Sequence, residues 1–251
     1  MKLATVILAA GKGKRMENPN KSKVMYELSG KPLIEYVVNL ALKIDSDKIV
    51  IIVGHQKQSV INFIRERFSS EIGKIKFAYQ DEQLGTGHAV MQTLDELKTF
   101  DGDVLILSGD VPLLSFDTIE KFISFHSDNN FTASLLSAIF ENPKGYGRII
   151  RDGEGKFIDI IEEKDAEPYI KKIKEINSGI YLVDNKNLFE ALRTLKTDNV
   201  QCEYYITDIF KYFKEKGFKI GAIPVENNLE ITGINTIEQL NEMEKIISDD
   251  E

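Results

Sequence analysis

A glycine-rich loop with an excess of positive charge follows the first apolar run of the chain. The stretch LAAGKGKRM contains Gly11 and Gly13, and residues 11–31 carry six lysine or arginine side chains against two glutamates. The whole chain has a net charge of -8, so this excess is local. Glycine lets the backbone approach an anion closely, and its N–H groups can bind phosphate oxygens. The loop therefore predicts a phosphate site, with a solvated basic turn as the alternative.

Two common nucleotide-binding motifs do not match this loop. Met16 stands where the dinucleotide fingerprint G-x-G-x-x-G requires its third glycine. The phosphate loop G-x-x-x-x-G-K-[ST] also fails, because no Gly-Lys-Ser/Thr follows at the required spacing. The sequence therefore indicates neither an NAD enzyme nor an ordinary ATPase.

Two later motifs could supply a metal ligand and a base-binding turn. Asp110 follows the apolar run DVLILS, and an aspartate at a strand tip beside a phosphate loop suits Mg²⁺. A turn or helix-cap aspartate is the alternative. The segment QLGTGHA (83–89) opens a helix, where its Gly-Thr-Gly turn could present backbone groups to a base edge. We expect His88 to pack in the first helical turn rather than to act in catalysis.

The elements that must position these residues alternate between strands and helices. Almost continuous apolar runs predict strands at 3–9, 48–53, 74–79, 103–108 and 131–139, and helical spacing predicts helices at 32–44, 56–70, 86–98 and 115–127. This alternation favours a mainly parallel sheet, whose strand-end loops bind ligands.

From residue 141 onward, glycine turns separate short strands of mixed polarity. They predict hairpins covering one side of the sheet, followed by returning strands at 178–183 and 218–225. Helices are predicted at 186–196, 203–216 and 236–248, and the last one ends in an acidic tail. We expect one α/β domain with a less regular second half.

The overall composition excludes several classes of protein. The chain has 251 residues, of which 42% are hydrophobic and 29% charged, as in an ordinary folded protein. Its acidic balance argues against nucleic-acid binding, and no apolar stretch is long enough to span a membrane. A single cysteine, Cys202, and the lack of a recognisable signal peptide predict a cytoplasmic protein. The oligomeric state stays open.

Several of these motifs together resemble a known enzyme family. Gly11 to Met16, with Lys23 downstream, resembles the signature loop G-x-G-T-R-M of nucleotide-diphospho-sugar pyrophosphorylases, with Lys14 in place of the threonine. The full QLGTGHA resembles the uracil-binding segment of bacterial N-acetylglucosamine-1-phosphate uridylyltransferases. Similar segments run in order from Leu8 to Asn235, so the resemblance covers nearly the whole chain.

The resemblance implies a role for each matching residue. Arg15 and Lys23 would be catalytic, and Asp110 and Asn235 would bind Mg²⁺. Without the resemblance, Asn235 would be interpreted as a helix cap. Cys202 stands where glycine is usual, and we expect it to pack rather than to act as a nucleophile. The sugar would contact Gly147, Glu162 and Asn177, and the nucleotide would contact Leu8, Ala9, Ala10, Gly11, Gly13, Gln80, Gln83, Gly85, Thr86 and Gly109.

The implied reaction joins UTP to N-acetylglucosamine 1-phosphate and releases pyrophosphate, through Mg²⁺-assisted in-line attack on the α-phosphate. The implied fold is α/β, a Rossmann-like, mainly parallel mixed sheet flanked by helices. It divides into a nucleotide-binding half (1–140), a hairpin-rich sugar-binding half (141–235) and a C-terminal helix with its tail (236–251). We expect no acetyltransferase domain in this chain. The alternatives are another sugar-1-phosphate uridylyl- or thymidylyltransferase, and a UDP-sugar sensor without turnover.

Overall fold

The apolar runs of the sequence form the inner strands of a mixed sheet. The computed structural model describes residues 2–13, 15–16, 18 and 20–249. Its strands are β1 (Leu3–Ala9), β2 (Glu27–Leu28), β3 (Lys31–Pro32), β4 (Lys48–Val53), β5 (Ile75–Tyr79), β6 (Asp103–Ser108), β7 (Ala133–Ile139), β8 (Arg148–Arg151), β9 (Phe157–Ile161), β10 (Glu175–Asp184) and β11 (Ile220–Pro224). Its helices are α1 (Leu33–Lys43), α2 (Lys57–Arg67), α3 (Thr86–Met91), α4 (Leu94–Leu97), α5 (Phe116–Asp128), α6 (Asn185–Leu192), α7 (Asp208–Glu215) and α8 (Ile237–Asp249). Short 3₁₀ turns cover Lys23–Met25, Ile170–Lys172 and Asn228–Ile231.

Within the described residues, nine strands hydrogen-bond into one sheet, and its main path runs β11–β7–β10–β6–β1–β4–β5. β1 is parallel to β4 and β6, β4 is parallel to β5, and β7 is parallel to β11. β10 is antiparallel to both of its neighbours on this path, β6 and β7. The predicted mainly parallel mixed sheet flanked by helices is therefore confirmed.

The strand order changes direction at β1. The chain passes from β1 to β4 and β5 on one side and then returns to β6 on the other side. In open α/β sheets, ligands bind beyond the carboxyl ends of the strands at such a switch point. The loops after β1 and β6, which carry Gly11 and Asp110, meet at this edge of the sheet.

Two helix layers cover the opposite faces of the sheet. Leu3 and Ile7 of β1 belong to a core with residues of α1, α2 and α5, whereas Ala4 and Val6 belong to a core with residues of α3, α6 and α7. Because both faces are covered, the central strands are apolar at nearly every position instead of alternating with polar residues.

Three predicted elements differ from the structure. The β8–β9 hairpin does not lie over the sheet: β8 pairs with β10, so the hairpin extends the sheet. The helix predicted at 86–98 is interrupted between Met91 and Leu94, where the Thr93 hydroxyl donates to the Val90 carbonyl (2.7 Å). The helix predicted at 203–216 begins only at Asp208, because the segment before it hydrogen-bonds to the loop that precedes α3.

The C-terminal helix returns to the N-terminal loop. Leu240 and Met243 of α8 share a small apolar core with Met16, Tyr26 and several neighbours. This packing holds residues 233–235, which precede α8, close to the loop after β1. The proposed division into 1–140, 141–235 and 236–251 stays a prediction. In the described part of the chain, no helix combines the length and the apolarity that crossing a membrane requires.

Candidate active site

A cavity of about 440 Å³ opens at the carboxyl ends of β1 and β6. It contains nine of the ten residues predicted to bind the nucleotide, and Gly109 is the exception. The lining consists of Leu8, Ala9, Ala10, Gly11, Lys12, Gly13, Lys23, Val24, Gln80, Gln83, Gly85, Thr86, Ala89, Ser108, Asp110 and Glu203. Five lining residues were not among the predicted site residues: Lys12, Val24, Ala89, Ser108 and Glu203. Ser108 was recognisable only as the residue before Gly109.

Gly109 holds the ends of the two central strands together. Its N–H donates to the Leu8 carbonyl (2.9 Å), and a Cβ added at this position would lie only 2.9 Å from the same oxygen. Any larger residue would therefore separate the loops that form the cavity.

The loop after β1 folds tightly around Gly13 and Met16. Gly13 has a φ of +57°, and a Cβ there would lie 2.9 Å from the Cβ of Lys23. The Met16 N–H donates to the Gly13 carbonyl (2.8 Å), and its side chain is buried in the core beside α8. Met16 thus anchors the loop through apolar packing, which explains why no third glycine is required. Lys14 lies outside the described residues.

The ammonium group of Lys23 hydrogen-bonds to two side-chain oxygens from distant parts of the chain. Its ammonium group donates to the Asp110 carboxylate and to Asn235 Oδ1 (2.7 Å). Arg15 Nη2 donates to the same Asn235 oxygen (3.0 Å). The backbone fixes this geometry, because the Ile234 N–H donates to the Asp110 carbonyl (2.9 Å). The structure therefore brings together all four residues predicted for catalysis and metal binding.

Asn235 is not the cap of α8. The Thr236 hydroxyl accepts from the Gln239 N–H (3.2 Å), and the Gln239 side-chain oxygen accepts from the Asn235 N–H (2.7 Å). The Asn235 amide donates through Nδ2 to the Gly233 carbonyl (3.1 Å), so its oxygen faces Lys23. Since Thr236 caps the helix, the side chain of Asn235 is available as a ligand.

The Asp110 and Asn235 oxygens fit a magnesium ion. They are hard oxygen donors that already converge on one cationic group, the Lys23 ammonium. Mg²⁺ takes few protein ligands and fills its other positions with phosphate and water oxygens. Among the residues that the structure describes, no group of three or more His, Cys, Asp or Glu side chains forms a metal cage.

The Gly-Thr-Gly turn at the start of α3 packs directly against the backbone of Tyr204. The Tyr204 N–H donates to the Leu84 carbonyl (2.8 Å), and the Gly87 N–H donates to the Tyr204 carbonyl (2.8 Å). Gly85 has a φ of +112°, and a Cβ there would lie 2.5 Å from the Tyr204 carbonyl oxygen. These glycines are therefore needed for close backbone packing on one wall of the cavity.

The buried side chain of Gln80 hydrogen-bonds to the same turn. Its side chain is 4% exposed and donates through Nε2 to the Gly85 carbonyl (3.0 Å), and it lies 3.2 Å from His88 Nδ1. Gln83 donates in turn to the Gln80 carbonyl (3.2 Å). His88 lies in the first turn of α3 as expected, outside the lining of this cavity.

The three residues predicted to bind the sugar meet at the end of the hairpin. Arg148 pairs with Ile161 of β9 and with Ile176 of β10, so Gly147 lies opposite both Glu162 and Asn177. The Asn177 N–H donates to the Gly147 carbonyl (2.9 Å), and a Cβ on Gly147 would lie 3.3 Å from Glu162 Oε2. We call Gly147, Glu162 and Asn177 the hexose triad.

Polar neighbours fix the side chains of the hexose triad. Glu162 Oε1 accepts from the Thr207 hydroxyl (3.0 Å), and burial raises the pKa of the Glu162 carboxyl. Asn177 Nδ2 donates to the Tyr181 hydroxyl (2.7 Å), and burial together with the nearby Glu162 charge raises the pKa of that phenol. Thr207 and Tyr181 were not among the predicted sugar-site residues, although both lie in segments that resemble the family. Glu162 and Thr207 also line a second cavity of about 700 Å³, which provides space beside the triad.

The hexose triad lies next to the nucleotide cavity. Between Asn177 and Tyr181 the register of β10 shifts, and Gly179 there has a φ of +79°. A Cβ on Gly179 would lie 3.4 Å from the hydroxyl of Ser108, which lines the nucleotide cavity. Such bulges occur next to active sites, because they redirect side chains. The charge of Asp110 also acts on Tyr146, whose pKa is raised by burial first and by that carboxylate second.

The expectation that Cys202 is a packing residue is wrong. Cys202 is exposed, and its φ of +53° is a left-handed backbone conformation that favours glycine. The conformation accounts for glycine as the usual residue at this position. Nothing in the structure assigns a task to the thiol.

A known protein family and known proteins are similar in sequence to most of this chain. The family model for nucleotidyl transferases matches residues 4–228. Proteins named Bifunctional protein GlmU are similar over almost the whole chain. One from Acetivibrio thermocellus is 44% identical over 245 residues, which is 98% of this chain and 51% of that protein. One from Streptococcus agalactiae is 41% identical over 96% of this chain and 51% of that protein. The chain thus spans about half the length of the curated relatives that it matches.

Solved structures share the fold. A UDP-glucose pyrophosphorylase complexed with UDP-glucose superposes with a TM-score of 0.80 at 20% identity and covers 100% of both chains. A putative glucose-1-phosphate thymidylyltransferase from Bacillus anthracis superposes with a TM-score of 0.77 at 21% identity, over 98% of this chain and 96% of that one.

Proposed function

The chain belongs to the nucleotidyl transferase family, and we propose that it transfers a uridylyl group from UTP to N-acetylglucosamine 1-phosphate. The products would be UDP-N-acetylglucosamine and pyrophosphate. The observation that carries this proposal is the convergence of Lys23, Asp110 and Asn235 at a cavity beside the hexose triad. A cation-rich phosphate site next to a polar sugar site is what the transfer requires.

The nucleotide would lie in the cavity after β1 and β6. The glycine loop would offer its N–H groups to the phosphates, and Arg15 would add a guanidinium group that can bind two phosphate oxygens at once. The uracil would lie against Gln80 and the turn at Gly85 and Thr86. The resemblance of QLGTGHA to a uracil-binding segment supports this orientation.

A phosphate oxygen of the sugar 1-phosphate would be the nucleophile that attacks the α-phosphorus of UTP. The second pKa of a phosphate monoester is about 6, so the attacking oxygen is already ionised near pH 7. No serine, cysteine or histidine nucleophile is then needed, and the protein contributes by positioning the reactants and by stabilising charge. Lys23 would balance the negative charge that grows on the α-phosphate as pyrophosphate leaves. A magnesium ion held by Asp110 and Asn235 would reduce the repulsion between the two phosphate groups.

The choice of sugar would depend on the hexose triad. Glu162 can accept hydrogen bonds from hydroxyl groups, and Asn177 can both donate and accept. The resemblance of QLGTGHA to a segment of N-acetylglucosamine-1-phosphate uridylyltransferases supports an amino-sugar substrate, and the proposal concerns this single nucleotidyl transfer. We also propose a cytoplasmic location, because the single cysteine suits a reducing compartment.

A pyrophosphate-release assay with a panel of substrates tests the proposal. The purified chain is mixed with Mg²⁺, one of UTP, dTTP or CTP, and N-acetylglucosamine 1-phosphate or glucose 1-phosphate. We expect the highest kcat/KM with UTP and N-acetylglucosamine 1-phosphate, and more than tenfold discrimination against CTP. A preference for glucose 1-phosphate or dTTP would favour another pyrophosphorylase of this family. Binding of UDP-sugar without pyrophosphate release would indicate a sensor.

A further inference from the structure

A buried arginine lies behind the hexose triad and connects three separate segments. Arg148 is 1% exposed and is among the largest fully buried side chains of the protein. Its guanidinium group donates to the Tyr146 carbonyl, donates to the Lys171 carbonyl (3.3 Å) and forms an ion pair with Glu163 (2.6 Å). The three partners belong to the loop before β8, the 3₁₀ turn at 170–172 and the turn after β9.

Two of these contacts are adjacent to residues of the hexose triad. Tyr146 and Arg148 flank Gly147, and Glu163 follows Glu162 in the chain. The guanidinium group therefore connects the chain on both sides of the gap between Gly147 and Glu162. That gap is narrow, since a Cβ on Gly147 would lie 3.3 Å from Glu162 Oε2.

Stability alone does not explain this ion pair. Burying an arginine has a desolvation cost that its ion pair scarcely offsets, and well-packed apolar residues often stabilise a protein equally well. Among the described residues, Arg148 Nε also has no hydrogen-bond partner although it is buried. The pair is better accounted for by its position beside the hexose triad than by net stability.

We propose that Arg148 and Glu163 are positioning residues that set the separation between Gly147 and Glu162, and thereby the affinity for the sugar 1-phosphate. This inference rests on the proposed function. Neither side chain contacts the nucleotide cavity, so the pair acts on one substrate only. Hydrogen bonds weaken steeply when donor and acceptor leave their preferred geometry, so a small shift of either backbone segment is enough to weaken sugar binding.

The primary variant is Glu163→Gln, because the Glu163 side chain is 26% exposed and the oxygen of the amide can still accept from the Arg148 guanidinium group. We expect the KM for N-acetylglucosamine 1-phosphate to rise at least tenfold, while the KM for UTP stays within twofold. Arg148→Lys keeps the charge but cannot reach three partners, and we expect the same pattern. Glu35→Gln is the matched control: it removes a Glu–Arg pair between α1 and α2 (2.8 Å), and we expect both KM values to be unchanged.

A rise of both KM values together, or an unchanged sugar KM in Glu163→Gln, would overturn the proposal. Amide hydrogen exchange at Asn177, whose N–H donates to the Gly147 carbonyl, provides a readout that needs no turnover. We expect it to be at least fivefold faster in Glu163→Gln than in the wild type or in Glu35→Gln. If the wild type turns over no sugar 1-phosphate, the proposed function fails. Exchange at Asn177 then decides the positioning role: faster exchange supports it, and unchanged exchange refutes it.

Discussion

The charge of Lys23 provides a quantitative test of the proposed chemistry. The side chain of Lys23 is 14% exposed and that of its partner Asp110 is 21% exposed, so the site is only partly shielded from water. At an effective dielectric constant of about 20, two unit charges about 4 Å apart interact by about 4 kcal/mol. Lys23→Met keeps the length of the side chain and removes this interaction with the reacting phosphate.

We expect Lys23→Met to lower kcat by about 100- to 1000-fold, because each factor of ten corresponds to about 1.4 kcal/mol. Binding of UTP should weaken much less, since the charge that Lys23 would balance develops only in the transition state. Pyrophosphate release at saturating substrates measures the first effect, and calorimetric titration with UTP measures the second.

Lys21→Met is the matched control for this experiment. Lys21 belongs to the same basic segment, but its ammonium group lies over the Tyr26 ring, 4.9 Å from the ring centroid, and is absent from the cavity lining. We expect the kcat of this variant to stay within threefold of wild type. A kcat of Lys23→Met within threefold of wild type, or equal losses in the two variants, would refute the role of Lys23.

Three further predictions concern the metal ligand, the pH dependence of stability and a strained loop. Asp110→Asn should raise the Mg²⁺ concentration for half-maximal rate at least tenfold, and an unchanged titration would contradict its role as a ligand. The Asp103 carboxyl has a pKa raised from 3.8 to about 6, by burial and by the Asp184 carboxylate, and it lies 3.9 Å from the buried His126. Its stabilising contribution is therefore complete below about pH 4 and is lost as the pH rises through 6. Asp103→Asn should raise the free energy of unfolding by about 2 to 3 kcal/mol at pH 8 and by much less at pH 4. Denaturant unfolding of both proteins at the two pH values measures this difference. The same gain in stability at pH 4 as at pH 8 would contradict the prediction. Cys202→Gly should stabilise the protein by about 1 kcal/mol, because φ is +53° there, and a lower Tm would contradict this.

The sequence predicted the strands of the parallel core and the loops at their ends. Strands covered on both faces are apolar throughout, so runs such as KIVIIV were recognisable without any tertiary information. The glycine loop and Asp110 follow directly after two of these strands. Their meeting at one edge of the sheet could therefore be expected from the alternation of strands and helices.

Residues whose position depends on distant contacts could not be found in this way. Tyr204 stays outside the predicted helix because its N–H donates to the Leu84 carbonyl and its carbonyl accepts from the Gly87 N–H, so local helical spacing misled the prediction there. Thr207 reaches Glu162 from a distant part of the chain, and Arg148 reaches Glu163 and Lys171 only once the hairpin has formed. Asn235 was found through the family resemblance alone, since a residue before a helix is usually interpreted as its cap.

Transfer of the α-phosphorus of UTP to the sugar phosphate tests the central claim most directly. The protein is incubated with Mg²⁺, N-acetylglucosamine 1-phosphate and UTP labelled with ³²P at the α position, and the products are separated. We predict that the label appears in UDP-N-acetylglucosamine, that the released pyrophosphate is unlabelled, and that Lys23→Met forms neither product at a comparable rate. Label in free UMP, or no transfer to any sugar phosphate, would contradict the claim.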